Sequence, residues 1–200
     1  MTIGVLDIYR RLEESGTNGK CRKEYLKTQS PEQNLGFVGR ELKIASMEST
    51  LRSTGIVTIV GMGGIGKTAT AIQFAYNNMS DYDLIWSINA DTVSTIQGSF
   101  AALARALSLD LTLENEPDAV LNSVMTYLEL NERFLLIYDN AEGLSQQVIN
   151  YLPPGYLHGH TIVCTREKQE LANDCLNLDV LSELESIELI HKHFPDTAVE

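Results

Sequence analysis

From Phe37 onward the chain alternates short apolar, β-branched runs with longer segments in which apolar residues recur every three or four positions. The first run is Ile56-Val57-Thr58-Ile59-Val60, a strand pattern, and residues 84–88, 134–138 and 161–164 predict three more strands. The run at 134–138 has no polar side, which suits a strand buried on both faces. Helical patterns lie between. Residues 67–79 carry Ile72, Ala75, Tyr76 and Met79 at i, i+3, i+4, i+7. Residues 94–108 place Ile96, Phe100, Leu103, Ala104 and Leu107 on one stripe, and Pro117 reads as the first position of a helix whose Leu121, Val124 and Leu128 face inward. Residues 144–151 predict a short helix and 177–180 a short fifth strand. Ser182-x-x-Glu185 is a capping box for a last helix with Leu184, Ile187, Ile190 and Phe194 at helical spacing. Residues 1–35 break the pattern: Ser15-Gly16-Thr17-Asn18-Gly19 and Ser30-Pro31 read as linker, with room for a short helix around 4–14.

Strands alternating with helices through short links imply an α/β fold, a parallel sheet with helices on both faces. Right-handed crossovers then put ligand sites beyond the carboxyl ends of the strands.

Composition narrows the partners more than the fold. Two hundred residues, 44% of them hydrophobic, fit one domain or one domain with part of another. A net charge of −12 disfavours general affinity for nucleic acid or anionic membrane. Lys20, Arg22, Lys23 and Lys27 form a local basic patch that reads as solvated linker. Three cysteines (Cys21, Cys164, Cys175) without paired spacing fit a reducing compartment, and Cys164 reads as a small core residue. No apolar run approaches membrane length and the N-terminus lacks the form of a signal peptide, so the expected location is cytoplasmic. His191 and His193 are two apart in a helix and make a poor metal pair; His158-Gly159-His160 reads as a Pro/Gly loop with satisfied or solvated histidines.

Residues 61–68 read Gly61-Met62-Gly63-Gly64-Ile65-Gly66-Lys67-Thr68, G-x-x-x-x-G-K-T after a strand and before a helix. This is the phosphate-binding P-loop pattern in its expected context. Glycines let backbone N–H groups turn inward toward an anion, and the following helix adds the positive end of its dipole. Lys67 supplies a charge for the β/γ-phosphates and Thr68 a hydroxyl for Mg²⁺. Gly61, Gly63 and Gly66 also spell the dinucleotide fingerprint G-x-G-x-x-G, for which Asp91 stands roughly where a ribose-binding acid is needed. The Lys67-Thr68 pair argues against that version, since a pyrophosphate held by backbone and dipole does not require it.

Two further strand ends carry candidate chemistry. Leu135-Leu136-Ile137-Tyr138-Asp139 has the Walker B form, four large residues and then an acid that can manage Mg²⁺; alone, Asp139 also reads as an ordinary turn residue. Arg166 follows the fourth strand, where a guanidinium can tell tri- from diphosphate, unless it is a plain surface arginine. Glu142 is placed either to polarise an attacking water or to start a solvated helix.

Phe37-Val38-Gly39-Arg40-Glu41, residues 61–68, Leu84-Ile85-Trp86, residues 135–142 and residues 161–166 occur in the order and spacing of the NB-ARC domain, which the chain resembles over 37–194. That domain belongs to the STAND signal-transducing ATPases, which include plant resistance proteins, apoptosome proteins and fungal and bacterial relatives. Leu181-Ser182-Glu183-Leu184-Glu185 resembles the segment leading into the family's four-helix subdomain. The resemblance implies a three-layer αβα P-loop NTPase with a mostly parallel five-stranded sheet in the order 2-3-4-1-5. It would occupy 36–180, after an irregular segment at 1–35 and before the start of a truncated helical subdomain at 181–200. Val38 and Arg40 would contact adenine and ribose. Gly61, Gly63, Gly64, Ile65, Gly66, Lys67, Thr68 and Ala69 would wrap the phosphates. Thr68 and Asp139 would manage Mg²⁺, and Arg166 would sense the γ-phosphate.

The family holds ADP in a closed resting state, exchanges it for ATP on a signal, oligomerises and drives an effector domain, in innate immunity among other settings. Sensor and effector parts are expected outside these residues. Asn140 stands where many plant members carry a second acid, which puts fast hydrolysis in doubt, although Asp-Asn-Ala-Glu looks like fungal and bacterial members. The family's Gly-Leu-Pro-Leu segment, winged helix and Met-His-Asp motif do not occur before Glu200, so the chain reads as a fragment or a truncated member.

An adenine-nucleotide switch with slow hydrolysis is the leading expectation. A P-loop metabolic kinase or dedicated ATPase would turn over at about 1 s⁻¹ or faster and needs an acceptor site that the sequence does not offer. A dinucleotide oxidoreductase leaves Lys67, Asp139 and Arg166 without roles. A scaffold with a decayed site is disfavoured by intact Lys67, Thr68 and Asp139.

Overall fold

The computed structural model describes residues 36–109, 116–142, 148–155, 159–166 and 175–194. The linker, the helix around 4–14, the basic patch, His158 and most of the 144–151 helix lie outside the described residues; Val148 and Ile149, at the end of the latter, are helical.

Among the described residues five strands form one sheet: β1 (Ile56–Val60), β2 (Leu84–Asn89), β3 (Phe134–Asp139), β4 (His160–Thr165) and β5 (Cys175–Asn177). Their order is β2-β3-β4-β1-β5 and every pairing is parallel, as the resemblance implies. Val60 lies opposite Thr165, and Asn89 opposite Asp139, which aligns the carboxyl ends on one rim.

Helices α1 (Glu41–Thr54), α2 (Lys67–Asn77), α3 (Val93–Ala106), α4 (Pro117–Leu130) and α5 (Glu183–His193) join them, with a 3₁₀ turn at Met79–Asp81. The strands feed two half-cores by simple alternation. Leu84, Trp86, Ile88, Phe134, Leu136, Tyr138 and Val163 pack with Ile96, Phe100, Leu103, Val124 and Leu128 of α3 and α4. Ile85, Leu135, Ile137, Val57, Ile59, Ile162 and Cys164 pack with Met47, Leu51, Ala71 and Phe74 of α1 and α2. The result is three layers, α1 and α2 on one face and α3 and α4 on the other. Each fully buried large side chain contributes roughly 1.5–3 kcal/mol of transfer free energy, so both helical layers are needed to hold the sheet.

Local signals explain the helix starts. Pro117 is the first residue of α4. The Ser182–Glu185 capping box opens α5, and a reciprocal Thr92–Thr95 cap opens α3.

The structure departs from the sequence expectations at five elements. Helix α1 was not anticipated, although Ile44, Met47 and Leu51 have helical spacing. The buried face of α2 centres on Ala71, Phe74 and Ala75, while Tyr76 and Met79 are only half-buried. The helix ends at Asn77, and Met79 opens a 3₁₀ turn instead. Strand β5 comes two residues early, although Leu178 N still donates to Val60 O at 2.7 Å and its side chain is buried. His160 begins β4 rather than lying in a loop, with Nδ1 2.7 Å from the Tyr82 hydroxyl. The apolar stripe of α5 has no buried member: Leu184 and Phe194 are exposed.

Candidate functional site

At the end of β1 the chain turns through six residues into α2. Gly64 and Gly66 have φ of 76° and 98°, a region that L side chains avoid, and this lets the backbone fold back tightly. The N-terminus of α2 has no side-chain cap and no acid in its first turn, in contrast to the reciprocal caps of α3 and α5. Its first-turn N–H groups and its dipole therefore face the loop without a carboxylate competing for them, an arrangement suited to an anion. Ala69 sits half-buried in that first turn. Lys67 is buried, and its Nζ donates to Gly61 O at 2.9 Å and Met62 O at 3.0 Å. The ammonium is thereby folded over the loop and held by two carbonyls.

The parallel order brings three strand ends side by side. Asp139 ends β3, Arg166 follows β4, and the loop follows β1. Thr68 Oγ1 donates to Asp139 Oδ1 at 2.7 Å, across 71 residues of sequence. Both are hard oxygen donors, the kind Mg²⁺ prefers. Among the described residues no group of three or more His, Cys, Asp or Glu could hold a metal ion. A cation here would therefore rely on phosphate and water oxygens as well as on these two residues, which is how Mg²⁺ is commonly bound.

Asn140 has φ of 59°, and its N–H also bonds Asp139 Oδ1, at 3.0 Å. Asn tolerates this left-handed conformation better than most residues. The next residue, Ala141, donates its N–H to Cys164 O at 2.9 Å, which ties the end of β3 to β4. That tie carries Glu142 to Arg166: Nε lies 2.6 Å from Glu142 Oε1. The same guanidinium covers Gly63, where a Cβ would sit 3.3 Å from its Cζ. Cys164 is fully buried beneath this rim, and burial pushes its thiol up, so it stays neutral.

Arg40 is buried, and Nη2 reaches Ile65 O at 3.4 Å, a long contact that nonetheless places its side chain beside the loop. Val38 is buried and lines a cavity of about 350 Å³ with Gln73, Asn77 and Glu188. None of residues 61–68 lines that cavity. A second cavity, about 310 Å³, opens at the amino ends of the strands among Tyr82, Arg133 and His160.

Asp91 does not join the site. It lies two residues beyond β2, an edge strand of the sheet, three strands away from β1. At about 4.8 Å per strand that is roughly 14 Å from the glycine loop. The dinucleotide reading needs the second strand beside the first, and this topology does not provide it.

One residue near the site was not found by its pattern. Glu185 reads in sequence only as a helix cap, yet Oε1 accepts the Arg40 N–H at 2.9 Å. That backbone bond first, then bonds from the Ser182 hydroxyl and N–H, pull its carboxyl down to about 2. The capping box signalled the acid; its distant partner left no local trace.

The chain resembles known proteins in both sequence and fold. The NB-ARC domain family model matches residues 41–195. A nucleotide-binding leucine-rich repeat (NLR)-like protein of Hyaloscypha variabilis is 32% identical over 123 residues, covering 56% of this chain and 12% of that protein. The chain thus spans a small part of that relative's length. Among solved structures, Cdc6p from Pyrobaculum aerophilum superposes with a TM-score of 0.57 at 14% identity, covering 86% of this chain and 53% of that one. A Walker-type ATPase of Pyrococcus abyssi superposes with a TM-score of 0.54 at 12% identity, covering 86% of this chain and 61% of that one. At such identities these two speak for the P-loop fold alone. The family match takes in well over half of the sequence, and with it the glycine loop, Asp139 and Arg166: the chain belongs to the NB-ARC family of P-loop nucleotide-binding domains.

Proposed function

We propose that this chain is the ADP/ATP-binding switch domain of an NLR-like signalling ATPase, in which nucleotide exchange and slow hydrolysis control conformation and oligomerisation. The observation that carries the reading is the Thr68–Asp139 contact of 2.7 Å on the rim shared with Lys67 and Arg166. The family match and the NLR-like relative support it.

In this reading the α2 N-terminus and Lys67 hold the phosphates. Arg40 and Val38 flank the adenosine. Thr68 and Asp139 would hold Mg²⁺, which would supply positive charge to offset that of the phosphates. ADP leaves Arg166 on Glu142. ATP offers the guanidinium a γ-phosphate with more charge and two acceptors in one plane. Arg166 then transfers, and Glu142 is free to take a proton from water. Water attacks the γ-phosphorus, the bond to the β–γ bridging oxygen breaks, and its electron pair leaves with ADP. Asn140 supplies no second carboxylate, consistent with turnover far below the roughly 1 s⁻¹ of a metabolic kinase.

The switch output is a conformational equilibrium that the two nucleotides bias differently. Residues 36–180 are the nucleotide-binding unit and 181–200 begin the helical subdomain. Sensor and effector parts, a cytoplasmic location and a role in innate immunity belong to the same proposal. Among the described residues no helix is long and apolar enough to cross a membrane. Limited proteolysis with ADP against a non-hydrolysable ATP analogue tests the switch: distinct cleavage patterns are expected, and identical patterns at saturation would contradict it.

A further inference from the structure

The turn before α1 is held from both sides. Gly39 and Arg40 have φ of 72° and 69°, two successive left-handed residues, the second of them not glycine. Such a turn needs outside support. On one side Arg40 Nη2 reaches Ile65 O of the phosphate loop, and Lys43 Nζ donates to Asn177 O at the end of β5 at 2.7 Å. On the other side stands α5. Glu185 Oε1 accepts the Arg40 N–H at 2.9 Å, and Lys192 Nζ donates to Phe37 O at 3.0 Å. Residues 185 and 192 are two helical turns apart on one face, so α5 grips both ends of Phe37-Val38-Gly39-Arg40.

The two carboxylate oxygens of Glu185 have divided tasks. Oε2 takes the Ser182 N–H and the Ser182 hydroxyl, each at 2.7 Å, which closes the helix cap. Oε1 serves the Arg40 N–H. A cap alone would need one acceptor, and glutamine would serve it. The fit at the turn is close: a Cβ on Gly39 would stand 2.5 Å from Oε1 and 2.7 Å from Cγ of Glu185. Only a carboxylate, with acceptors on both arms, can cap α5 and hold Arg40 together.

We propose that Glu185 is a positioning residue for the nucleotide site: it clamps the Gly39-Arg40 turn to α5, so that the adenosine-side segment and the helix leading away from the sheet move together. This rests on the reading of Val38 and Arg40 as the adenosine-side residues. A ligand that displaces the turn then displaces α5, and a shift of α5 loosens adenosine but not phosphate.

The test uses calorimetric titration of the 200-residue chain with ADP and with inorganic pyrophosphate, which engages only the phosphate loop. In E185Q, ADP affinity falls about tenfold while pyrophosphate affinity changes by less than about twofold. In S182A, which removes cap contacts but leaves the carboxylate for Arg40, both affinities stay within about twofold. The exposed K192A, which keeps the test open should E185Q fail to fold, shows a smaller loss for ADP alone. Unchanged ADP affinity in E185Q and K192A overturns the proposal. So does an equal loss of ADP and pyrophosphate, or an S182A loss matching that of E185Q, since each assigns Glu185 to the helix cap only. If the unaltered chain binds ADP no more tightly than pyrophosphate, the adenosine-side reading itself is wrong, a result distinct from these.

Discussion

Arg166 Nε lies 2.6 Å from Glu142 Oε1, with the guanidinium laid over Gly63 of the phosphate loop. The two side chains are 59% and 30% exposed, and such a pair contributes only about 0–1 kcal/mol. A charge-assisted bond to phosphate is stronger, roughly 1.5–3 kcal/mol. In the proposed switch the arginine therefore gains by changing partners when a γ-phosphate arrives. Arg166→Gln should weaken ATP binding about tenfold or more and leave ADP binding nearly unchanged. Competitive titration of the two nucleotides checks this; equal losses would remove Arg166 from the γ-phosphate.

In the proposed switch Glu142 has the complementary role. Glu142→Gln should shift the unfolding temperature very little, because the ion pair is weak. It should slow single-turnover ATP hydrolysis by about a hundredfold if Glu142 accepts the proton from water, with ADP affinity intact. Hydrolysis at the unaltered rate would leave Glu142 as a resting partner of Arg166 and nothing more.

Toward acid pH, Glu185 and His160 both make stability fall. Glu185 sits at about 2 when folded, held there by the Arg40 N–H and by Ser182. Depression of a carboxyl adds stability that is complete above its unfolded value and is lost as pH falls toward 2. The stability gap between the unaltered chain and E185Q should therefore shrink from pH 6 to pH 3. His160 is shifted down, by burial first and then by Arg52, and its Nδ1 pairs with the Tyr82 hydroxyl at 2.7 Å. The unfolded chain takes the proton more readily, so stability falls as pH drops through the ordinary histidine range. Unfolding midpoints of H160Q against the unaltered chain should converge below pH 6; a gap widening toward acid would contradict the assignment.

The corrected face of α2 is testable by truncation. Phe74 is 1% exposed at the centre of the α1–α2 half-core. Phe74→Ala should cost about 3–5 kcal/mol, and half-buried Met79→Ala clearly less. Denaturant unfolding of the two variants reads this directly, and equal losses would restore the stripe inferred from spacing.

What was legible in the sequence follows how local each signal is. The phosphate loop, the Walker B run and the Ser182 capping box are contiguous, and all three appear in the structure in the predicted elements. The stripe on α3 was legible because Ile96, Phe100, Leu103 and Ala104 all bury on one face. Helix α1 was hidden because Ser46, Ser49, Thr50, Ser53 and Thr54 dilute its apolar spacing with residues of modest helix propensity. The face of α2 was misread because Lys67 and Thr70, both buried at the site, break the apolar stripe that Phe74 belongs to. Pairings such as Arg166 with Glu142, and above all Arg40 with Glu185 across 145 residues, depend on the packed sheet and left no periodic trace.

The most direct test of the central claim is calorimetric titration of ADP and ATP into the chain and into its Lys67→Ala variant. The account predicts that both nucleotides bind the unaltered chain, and that losing the Lys67 ammonium weakens each by about ten- to a hundredfold. Failure of either nucleotide to bind, or equal binding by the variant, would contradict an adenine-nucleotide switch built on this loop.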